Sequence, residues 1–209
     1  MALKEYKTVK QRAEDMFVEK KSEFIGYISP VANEEEALAF ISEIKKKHAD
    51  ATHNCHAYIL QGTEIARFSD DGEPSGTAGM PMLEVIKREG LTGVCIVVTR
   101  YFGGILLGAG GLVRAYAKGA KIAIDAAGIC SFVPFTEFTL NCDYSDYEKI
   151  RRDLEVKKIK CDDTEFGADV TLKLACRNEL YEGFCEYAVN LTNGRAIVKV
   201  TGERFDADE

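Results

Sequence analysis

The first part of the chain alternates apolar runs with polar segments in a way that predicts two strands followed by a helix. Residues 13–29 carry two apolar runs around a polar segment at 20–22, which favours a pair of strands. Asn33 followed by Glu36 fits a helix capping box. The predicted helix has one apolar stripe, formed by Ala37, Phe40, Ile41 and Ile44. We expect this stripe to face a core.

Residues 51–99 predict a hairpin, a short helix and a central strand. Residues 51–60 are typical of a strand entered by polar residues, and 65–68 of its hairpin partner. Residues 80–88 have helical spacing. The continuous apolar run at 94–99 is typical of a central strand that is buried on both faces.

Helical spacing returns at residues 112–127, where one face is apolar and another is cationic. We expect the apolar face to consist of Val113, Ala117, Ala120 and Ile124. The cationic face consists of Arg114, Lys118 and Lys121. It is either simply solvated or, because it begins beside a glycine-rich loop, part of a site. Gly128 is expected to end the helix, and residues 128–134 to form a short connection.

The last part of the chain predicts a second domain with the order βαββαβ, the split βαβ arrangement. The expected elements are 135–142, 145–154, 156–161, 169–176, 180–191 and 196–201. Ser145 and Glu148 fit a capping box for the first of its helices. The predicted domains are residues 1–131 and 135–204, and the fold class is α+β. We find no catalytic motif in the second domain.

Composition is that of an ordinary globular protein. Hydrophobic residues make up 46% and charged residues 29% of the 209 residues, which supports a core and argues against disorder. The formal net charge is −7, so any nucleic-acid contact needs a local basic patch. No apolar run approaches the roughly 20 residues that span a bilayer, and residues 1–11 are too polar for a signal peptide. We expect a cytoplasmic protein without a membrane partner or a sequence-specific DNA-binding motif.

His53, Cys55 and His56 form a cluster of ligand-type side chains. Alternation along a strand places His53 and Cys55 on one face and His56 on the other, so the three cannot easily converge on one ion. We therefore predict no metal site. Hydrogen-bonded polar residues are the favoured interpretation, and a cysteine nucleophile paired with a histidine is the alternative. The other six of the seven cysteines are expected to be reduced core residues.

Residues 68–116 concentrate glycines and charged side chains, and we predict the functional site there. The first loop, residues 69–79, is acidic and carries Asp70, Asp71 and Glu73. These carboxylates oppose anion binding unless an arginine or a divalent cation offsets them. Ser75 or Thr77 is expected to cap the helix that follows, whose free amides could hold an anion.

A second loop opens directly into the helix at residue 112 and has the backbone freedom and amide donors of a phosphate cradle. Its glycines are Gly103, Gly104, Gly108, Gly110 and Gly111. The loop is not a P-loop, because no GKS or GKT follows it. It is not GxGxxG either, because Val113 occupies the position of the third glycine. The alternative is that these glycines permit a tight strand-to-helix crossing.

Arg100 follows the apolar strand on one of its buried faces. Because an unpaired buried guanidinium is costly, Arg100 must face water, a carboxylate of the acidic loop or an anionic ligand. Tyr101 and Phe102 offer aromatic rings of the kind that stack bases or bind peptides. With Arg114 and Lys118 they would form a basic and aromatic surface. The alternative is that Phe102 lies in the core and Tyr101 at the sheet rim.

Four motifs resemble the YigZ/IMPACT family: KSEFI at 21–25, HNCHAY at 53–58, SDDGEPSGTAG at 69–79 and VTRYFGGILLGAGGLVRAY at 98–116. The resemblance implies an amino-terminal α/β domain like the second domain of small-subunit ribosomal protein five. It also implies a carboxy-terminal ferredoxin-like domain similar to one in translation elongation factor G. Eukaryotic relatives regulate translation by competing for a protein that activates an initiation kinase. Bacteria lack that kinase pathway, so this partner does not carry over.

These observations predict a regulatory binding protein of translation or stress responses, with no cofactor and with RNA, a ribosome or a translation-related protein as its partner. One alternative is an enzyme acting on a nucleotide or phosphorylated small molecule, with Mg²⁺ at the acidic loop. Another is a docking module without chemistry. No catalytic residue is assigned. The candidate binding residues are His53, Cys55, His56, Asp70, Asp71, Glu73, Ser75, Thr77, Arg100, Tyr101, Gly103, Gly104, Gly108, Gly110, Gly111, Arg114 and Lys118.

Overall fold

A computed structural model describes residues 5–207, and these form a mixed α/β protein with two compact units. Residues 6–131 make up the amino-terminal unit. Within the described chain, residues 132–207 together with Glu5 make up the carboxy-terminal unit. The segment 128–134 is not the short connection that the sequence predicted, because a strand begins at Ile129 and continues to Cys142.

The amino-terminal unit is built on one five-stranded antiparallel sheet. Its elements are β1 (Tyr6–Val9), β2 (Ala13–Glu19), β3 (Ser22–Pro30), α1 (Glu34–Lys47), β4 (His53–Ile59), β5 (Ala66–Ser69), α2 (Gly79–Arg88), β6 (Val94–Tyr101) and α3 (Ala109–Ala127). The sheet order is β2-β3-β6-β4-β5. The two predicted strand pairs are confirmed as β2 with β3 and β4 with β5. The predicted central strand is confirmed as β6.

Helices cover both faces of this sheet. Side chains of β6 alternate, so Cys95 and Val97 join a core with α1, while Ile96 and Val98 join a core with α2 and α3. Helix α1 begins as predicted, with the Asn33 Oδ1 accepting a hydrogen bond from the Glu36 amide at 2.9 Å. The end of β6 therefore lies between two helical layers.

The predicted buried face of helix α3 is confirmed for Ala120 and Ile124, which are fully buried, and Ala117 is partly buried against the same core, but the prediction is wrong for Val113. Its buried residues are Leu112, Ala115, Tyr116, Gly119, Ala120, Ala123, Ile124 and Ala127. Val113, expected to be buried, is 37% exposed. Gly119 lies on the side that packs closely on the sheet, since a Cβ added at Gly26 of β3 would lie 2.2 Å from the carbonyl oxygen of Gly119. Small residues must face the sheet there, and apolar bulk does not mark the buried side.

The carboxy-terminal unit confirms the predicted order of strands and helices. Its elements are β7 (Ile129–Cys142), α4 (Tyr144–Leu154), β8 (Lys160–Phe166), β9 (Val170–Arg177), α5 (Asn178–Leu191) and β10 (Ile197–Ala207). The strands pair antiparallel in the order β10-β7-β9-β8. Ile150 of α4 and Phe184 of α5 are buried in a core with side chains of β7 and β9. The closer comparison with a ferredoxin-like domain stays a prediction.

Two local predictions for this unit are wrong. Helix α4 is capped by Asp143, whose Oδ1 accepts from the Asp146 amide at 2.9 Å, and not by a Ser145/Glu148 capping box. Strand β8 begins at Lys160, since the residues after α4 form a turn with Lys158 at a φ of 57°. Apolar character at 156–159 therefore did not indicate a strand.

Candidate functional site

The acidic loop between β5 and α2 uses Asp70 to begin the helix. The Asp70 carboxylate accepts hydrogen bonds from the amides of Gly76, Ala78 and Gly79 at 2.8, 3.1 and 2.8 Å. Neither Ser75 nor Thr77 caps α2, so that prediction is wrong. Ser75 is exposed, and the Thr77 hydroxyl donates to the carbonyl of Pro74 at 2.6 Å. The Asp70 carboxylate takes the role expected of a hydroxyl, because it accepts hydrogen bonds from three otherwise unpaired amides at once.

Asp71 fastens the same loop to α1 and β4. Its carboxylate accepts from the Lys45 Nζ at 2.6 Å and from the Asn54 amide at 2.7 Å. Burial by itself would raise the pKa of Asp71, but the hydrogen bonds from Lys45 and Asn54 outweigh it and lower the pKa. The Nδ1 of His53 lies 2.8 Å from the Asp71 carbonyl oxygen, so this nitrogen carries the proton.

Glu73 is the carboxylate that pairs with Arg100. The Nη1 of Arg100 lies 2.6 Å from the Glu73 Oε1, and the two residues are only 5% and 7% exposed. The Tyr116 hydroxyl donates to the same oxygen at 2.7 Å, and the His53 Nε2 lies 3.8 Å from it. Burial, together with Cys55 and Glu73, strongly raises the pKa of Tyr116. We call Glu73, Arg100, Tyr116, His53 and Cys55 the buried network.

Arg100 is also enclosed by aromatic rings. Its guanidinium carbon lies 5.5 Å from the ring centroid of Phe24 and 5.4 Å from that of Phe102. Its Nε is buried without a hydrogen-bond partner. Of the three predicted alternatives for Arg100, which were water, a carboxylate of the acidic loop and an anionic ligand, the structure has the carboxylate, that of Glu73.

Cys55 lies deep in the buried network and is not poised as a nucleophile. Its Sγ donates to the carbonyl of Asp70 at 2.9 Å, and burial raises the pKa of the thiol to about 12. His56 points to the other sheet face, as alternation predicted, and burial lowers its pKa. All seven cysteines are free, but the expectation of a core position is wrong for Cys161, which is exposed, and Cys130 and Cys185 are only half-buried.

Tyr101 does not share a surface with Arg100. Its hydroxyl donates to the Asp50 Oδ1 at 3.0 Å and lies 2.9 Å from the His48 Nδ1, on the side of α1. Adjacent strand residues face opposite ways, so Tyr101 and Arg100 could not form one basic and aromatic face. Phe102 is the ring that Arg100 contacts, and at 45% exposure it is not a core residue.

The glycine-rich loop, residues 103–111, passes tightly over the β2–β3 turn and then opens into α3. The Gly103 amide donates to the Ser22 Oγ at 3.1 Å, and a Cβ at Gly103 would lie 2.0 Å from the Lys21 carbonyl carbon. Gly104 and Gly108 have φ angles of 82° and 72°, which favour glycine. Gly110 and Gly111 lie in the first turn of α3. The structural interpretation of these glycines is therefore correct for the first part of the loop.

A cavity of about 220 Å³ lies beside the second part of the loop. It is lined by Phe17, Glu19, Lys20, Leu107, Gly111, Arg114, Ala115 and Lys118. The Lys118 Nζ lies 4.2 Å from the ring centroid of Phe17, a cation–π distance. Within residues 5–207, neither Lys20, Arg114 nor Lys118 forms an ion pair. We call this the cationic cavity. Among the candidate residues, it brings together Gly111, Arg114 and Lys118.

Sequence reasoning missed the contribution of the β2–β3 hairpin to this cavity. Phe17, Glu19 and Lys20 lie far from α3 in the chain, and only the packing of β2 against α3 brings them beside Arg114. The one available signal was Phe17 in a strand followed by two lysines at a turn. Exposed apolar side chains continue the surface, because Ile105 and Leu106 of the glycine-rich loop are 42% and 81% exposed.

Neither a metal centre nor a membrane-spanning helix is found within residues 5–207. No group of three or more histidine, cysteine, aspartate or glutamate side chains is arranged to hold a metal ion there. In the same range, no helix combines the length and the apolar character that a membrane crossing requires.

Two family models match the chain. Residues 20–124 match the model of the Impact N-terminal domain, and residues 140–195 match that of a domain of unknown function, DUF1949. The chain is similar to IMPACT family member YvyE of Bacillus subtilis, with 41% identity over 198 residues, covering 94% of this chain and 91% of YvyE. The chain belongs to the IMPACT family.

More distant relatives support the same membership. IMPACT family member YigZ of Escherichia coli is 39% identical over 159 residues, which cover 75% of this chain and 78% of YigZ. Protein IMPACT of Oryctolagus cuniculus is 33% identical over 94 residues, which cover 43% of this chain and 30% of that protein. A solved structure described as a hypothetical protein shares 31% identity with a TM-score of 0.61, covering 96% of this chain and 99% of that chain.

Proposed function

We propose that this IMPACT-family chain is a regulatory binding protein of translation or stress responses, and that its amino-terminal unit binds RNA. The contact surface is the cationic cavity with Lys20, Arg114 and Lys118. One observation carries the proposal: Arg100 and the carboxylates of the acidic loop are engaged inside the unit, whereas these three cations are exposed. The overall charge of −7 requires such a local patch for any RNA contact.

The state of the carboxylates and the thiol at the predicted site favours binding over catalysis. Asp70 is engaged with backbone amides, Asp71 with Lys45, and Glu73 with Arg100, so each already has partners that a base or a Mg²⁺ ligand would have to give up. The Cys55 thiol is protonated at neutral pH because burial raises its pKa to about 12. The three carboxylates and the thiol that an enzyme acting on a nucleotide or phosphorylated small molecule would use are thus already engaged or protonated, which makes this alternative the less favoured one.

The test is binding of a short single-stranded RNA, followed by fluorescence anisotropy over a series of KCl concentrations. Affinity should fall steeply with salt, with a logarithmic slope of about −0.7 for each phosphate contact. The double variant Arg114→Ala/Lys118→Ala should bind more weakly and flatten the slope by about 1.4. The matched control is Lys46→Ala/Arg88→Ala, which removes the same charges from exposed positions outside the cavity and should leave the slope unchanged.

Three results would contradict the proposal. The first is no retention of RNA at low salt. The second is an equal loss of affinity in the two double variants, since that outcome assigns binding to net charge and not to this surface. Retention of ribosomal particles without free RNA would also contradict it, and would make a ribosomal or translation-related protein the partner.

A further inference from the structure

We propose that the cationic cavity is a pocket for a terminal phosphate, a phosphate monoester, and that it reads the phosphorylated end of the RNA. The inference rests on the proposed function only in naming RNA as the bearer of that group. The pocket's own chemistry follows from its charge, its size and the elements that form it.

Charge is the first argument. Lys20, Arg114 and Lys118 contribute three positive charges to the lining and Glu19 contributes one negative charge, which leaves an excess of two positive charges. A phosphate monoester carries a charge of about −1.5 to −2 at pH 7, whereas a backbone diester carries about −1. The pocket therefore complements the terminal group better than an internal phosphate.

Size is the second argument. The cavity has a volume of about 220 Å³, whereas sites that enclose a whole small molecule have volumes of about 300–1,000 Å³. Water occupies about 30 Å³ in the liquid, so the cavity has room for a phosphate group and the atoms next to it. The rest of the ligand must lie outside, along the exposed surface of the glycine-rich loop.

Preorganisation is the third argument. The lining comes from two elements, the β2–β3 hairpin and α3, that pack on each other. The Phe17 ring holds the Lys118 ammonium at 4.2 Å and itself stacks on Phe24, with ring centroids 5.2 Å apart. Two cations from the helix and one from the hairpin thus line the same cavity. Because Phe17 already holds the Lys118 ammonium, binding needs less ordering of that side chain, which favours affinity.

The experiment compares one RNA sequence with a 5′-phosphate and with a 5′-hydroxyl, each labelled at its 3′ end. We expect the phosphorylated RNA to bind about tenfold more tightly, as charge-assisted hydrogen bonds to one group would give. Arg114→Ala and Lys20→Ala should each reduce this preference, while Arg88→Ala and Lys46→Ala, exposed cations outside the cavity, should retain it. Glu19→Gln should strengthen binding of the phosphorylated end, because it removes the one opposing charge.

Competition with a nucleoside 5′-monophosphate distinguishes the two sources of a monoester. Displacement of the phosphorylated RNA by the free nucleotide, with loss of displacement in Arg114→Ala, supports the pocket. Binding of the nucleotide without any RNA binding supports the pocket and contradicts the proposed function. Equal affinity for the two RNA ends, or a preference that survives the double variant Lys20→Ala/Arg114→Ala, overturns the inference and leaves RNA binding standing.

Discussion

The two sides of helix α3 differ in their charged neighbours, which are buried and paired on one side and exposed on the other. Tyr116 faces the buried network, where Arg100 and Glu73 are nearly inaccessible and lie 2.6 Å apart. Arg114, only two positions earlier, lines the cationic cavity, whose lining contains three cations and one carboxylate and, within residues 5–207, no ion pair between them. Charges of the first kind are held by the fold, and charges of the second kind are available to a partner. Density of charged residues in a sequence does not separate these two roles.

Glu73→Ala should give the largest effect, because it leaves the Arg100 guanidinium buried without its carboxylate. We expect the free energy of unfolding to fall by about 3–5 kcal/mol. The measurement is equilibrium unfolding in urea. The matched control is Glu84→Ala, which breaks an exposed pair with Lys87 and should cost less than about 1 kcal/mol. If Glu73→Ala lowered the free energy of unfolding no more than the control does, the buried network would not stabilise the acidic loop.

Gly103→Ala should have the second largest effect. The added Cβ would overlap the Lys21 backbone, so we expect a loss of about 1–3 kcal/mol in the free energy of unfolding. Gly110→Ala is the paired variant in the same loop region, where a Cβ meets only the Arg114 side chain at 3.9 Å. Because alanine favours helix, it should raise stability by up to about 1 kcal/mol. Equal effects at the two glycines would contradict the distinction between Gly103, where the backbone is closely packed, and Gly110, where it is not.

Asp70→Ala should have a smaller effect, from loss of the hydrogen bonds at the start of α2. We expect destabilisation of about 0.5–2 kcal/mol by urea unfolding. Ser75→Ala, at the position expected from sequence to cap the helix, should stay within about 0.5 kcal/mol of the parent. A reversed order, with Ser75 the more costly, would contradict the described cap.

Asp71→Asn should give the smallest effect, and one that depends on pH. Its folded-state pKa is lowered by Lys45 and Asn54 against the opposing effect of burial, so the ionised form stabilises the fold. The parent protein should exceed the variant in unfolding free energy above about pH 4, the unfolded-state pKa. That difference should shrink as pH falls further, through the folded-state pKa. A difference that is constant from neutral to acidic pH would exclude the ion pair as its cause.

Local patterns predicted those parts of the fold that depend on neighbours in the chain. The strand pair β2–β3, the Asn33 cap and the buried strand β6 all follow from periodicity and capping chemistry. The cost of burying the charge of Arg100 predicted that it faces water, a carboxylate or an anionic ligand, and the carboxylate of Glu73 is the partner found. These predictions are confirmed because the deciding interactions are either local or unavoidable.

Predictions that depended on distant packing were less accurate. The choice of Glu73 among three carboxylates depends on how the loop folds back over β4 and β6. On α3, Ala120 and Ile124 are buried as predicted, but Val113 is exposed, and the close contact of Gly119 with Gly26 was not predicted. The Tyr101 side chain lies on the other face of the sheet, where its hydroxyl contacts Asp50 and His48. Lys20 lines the cavity because the β2–β3 hairpin packs against α3, and sequence spacing does not predict that contact.

The most direct test of this division of roles compares the RNA affinities of Arg114→Ala and Tyr116→Phe, two variants on opposite sides of one helix. Tyr116→Phe removes only the hydroxyl that donates to Glu73. The account predicts that Arg114→Ala weakens RNA binding and flattens its salt slope by about 0.7, while Tyr116→Phe binds as the parent does. Unchanged binding in Arg114→Ala, or an equal loss in Tyr116→Phe, would contradict it.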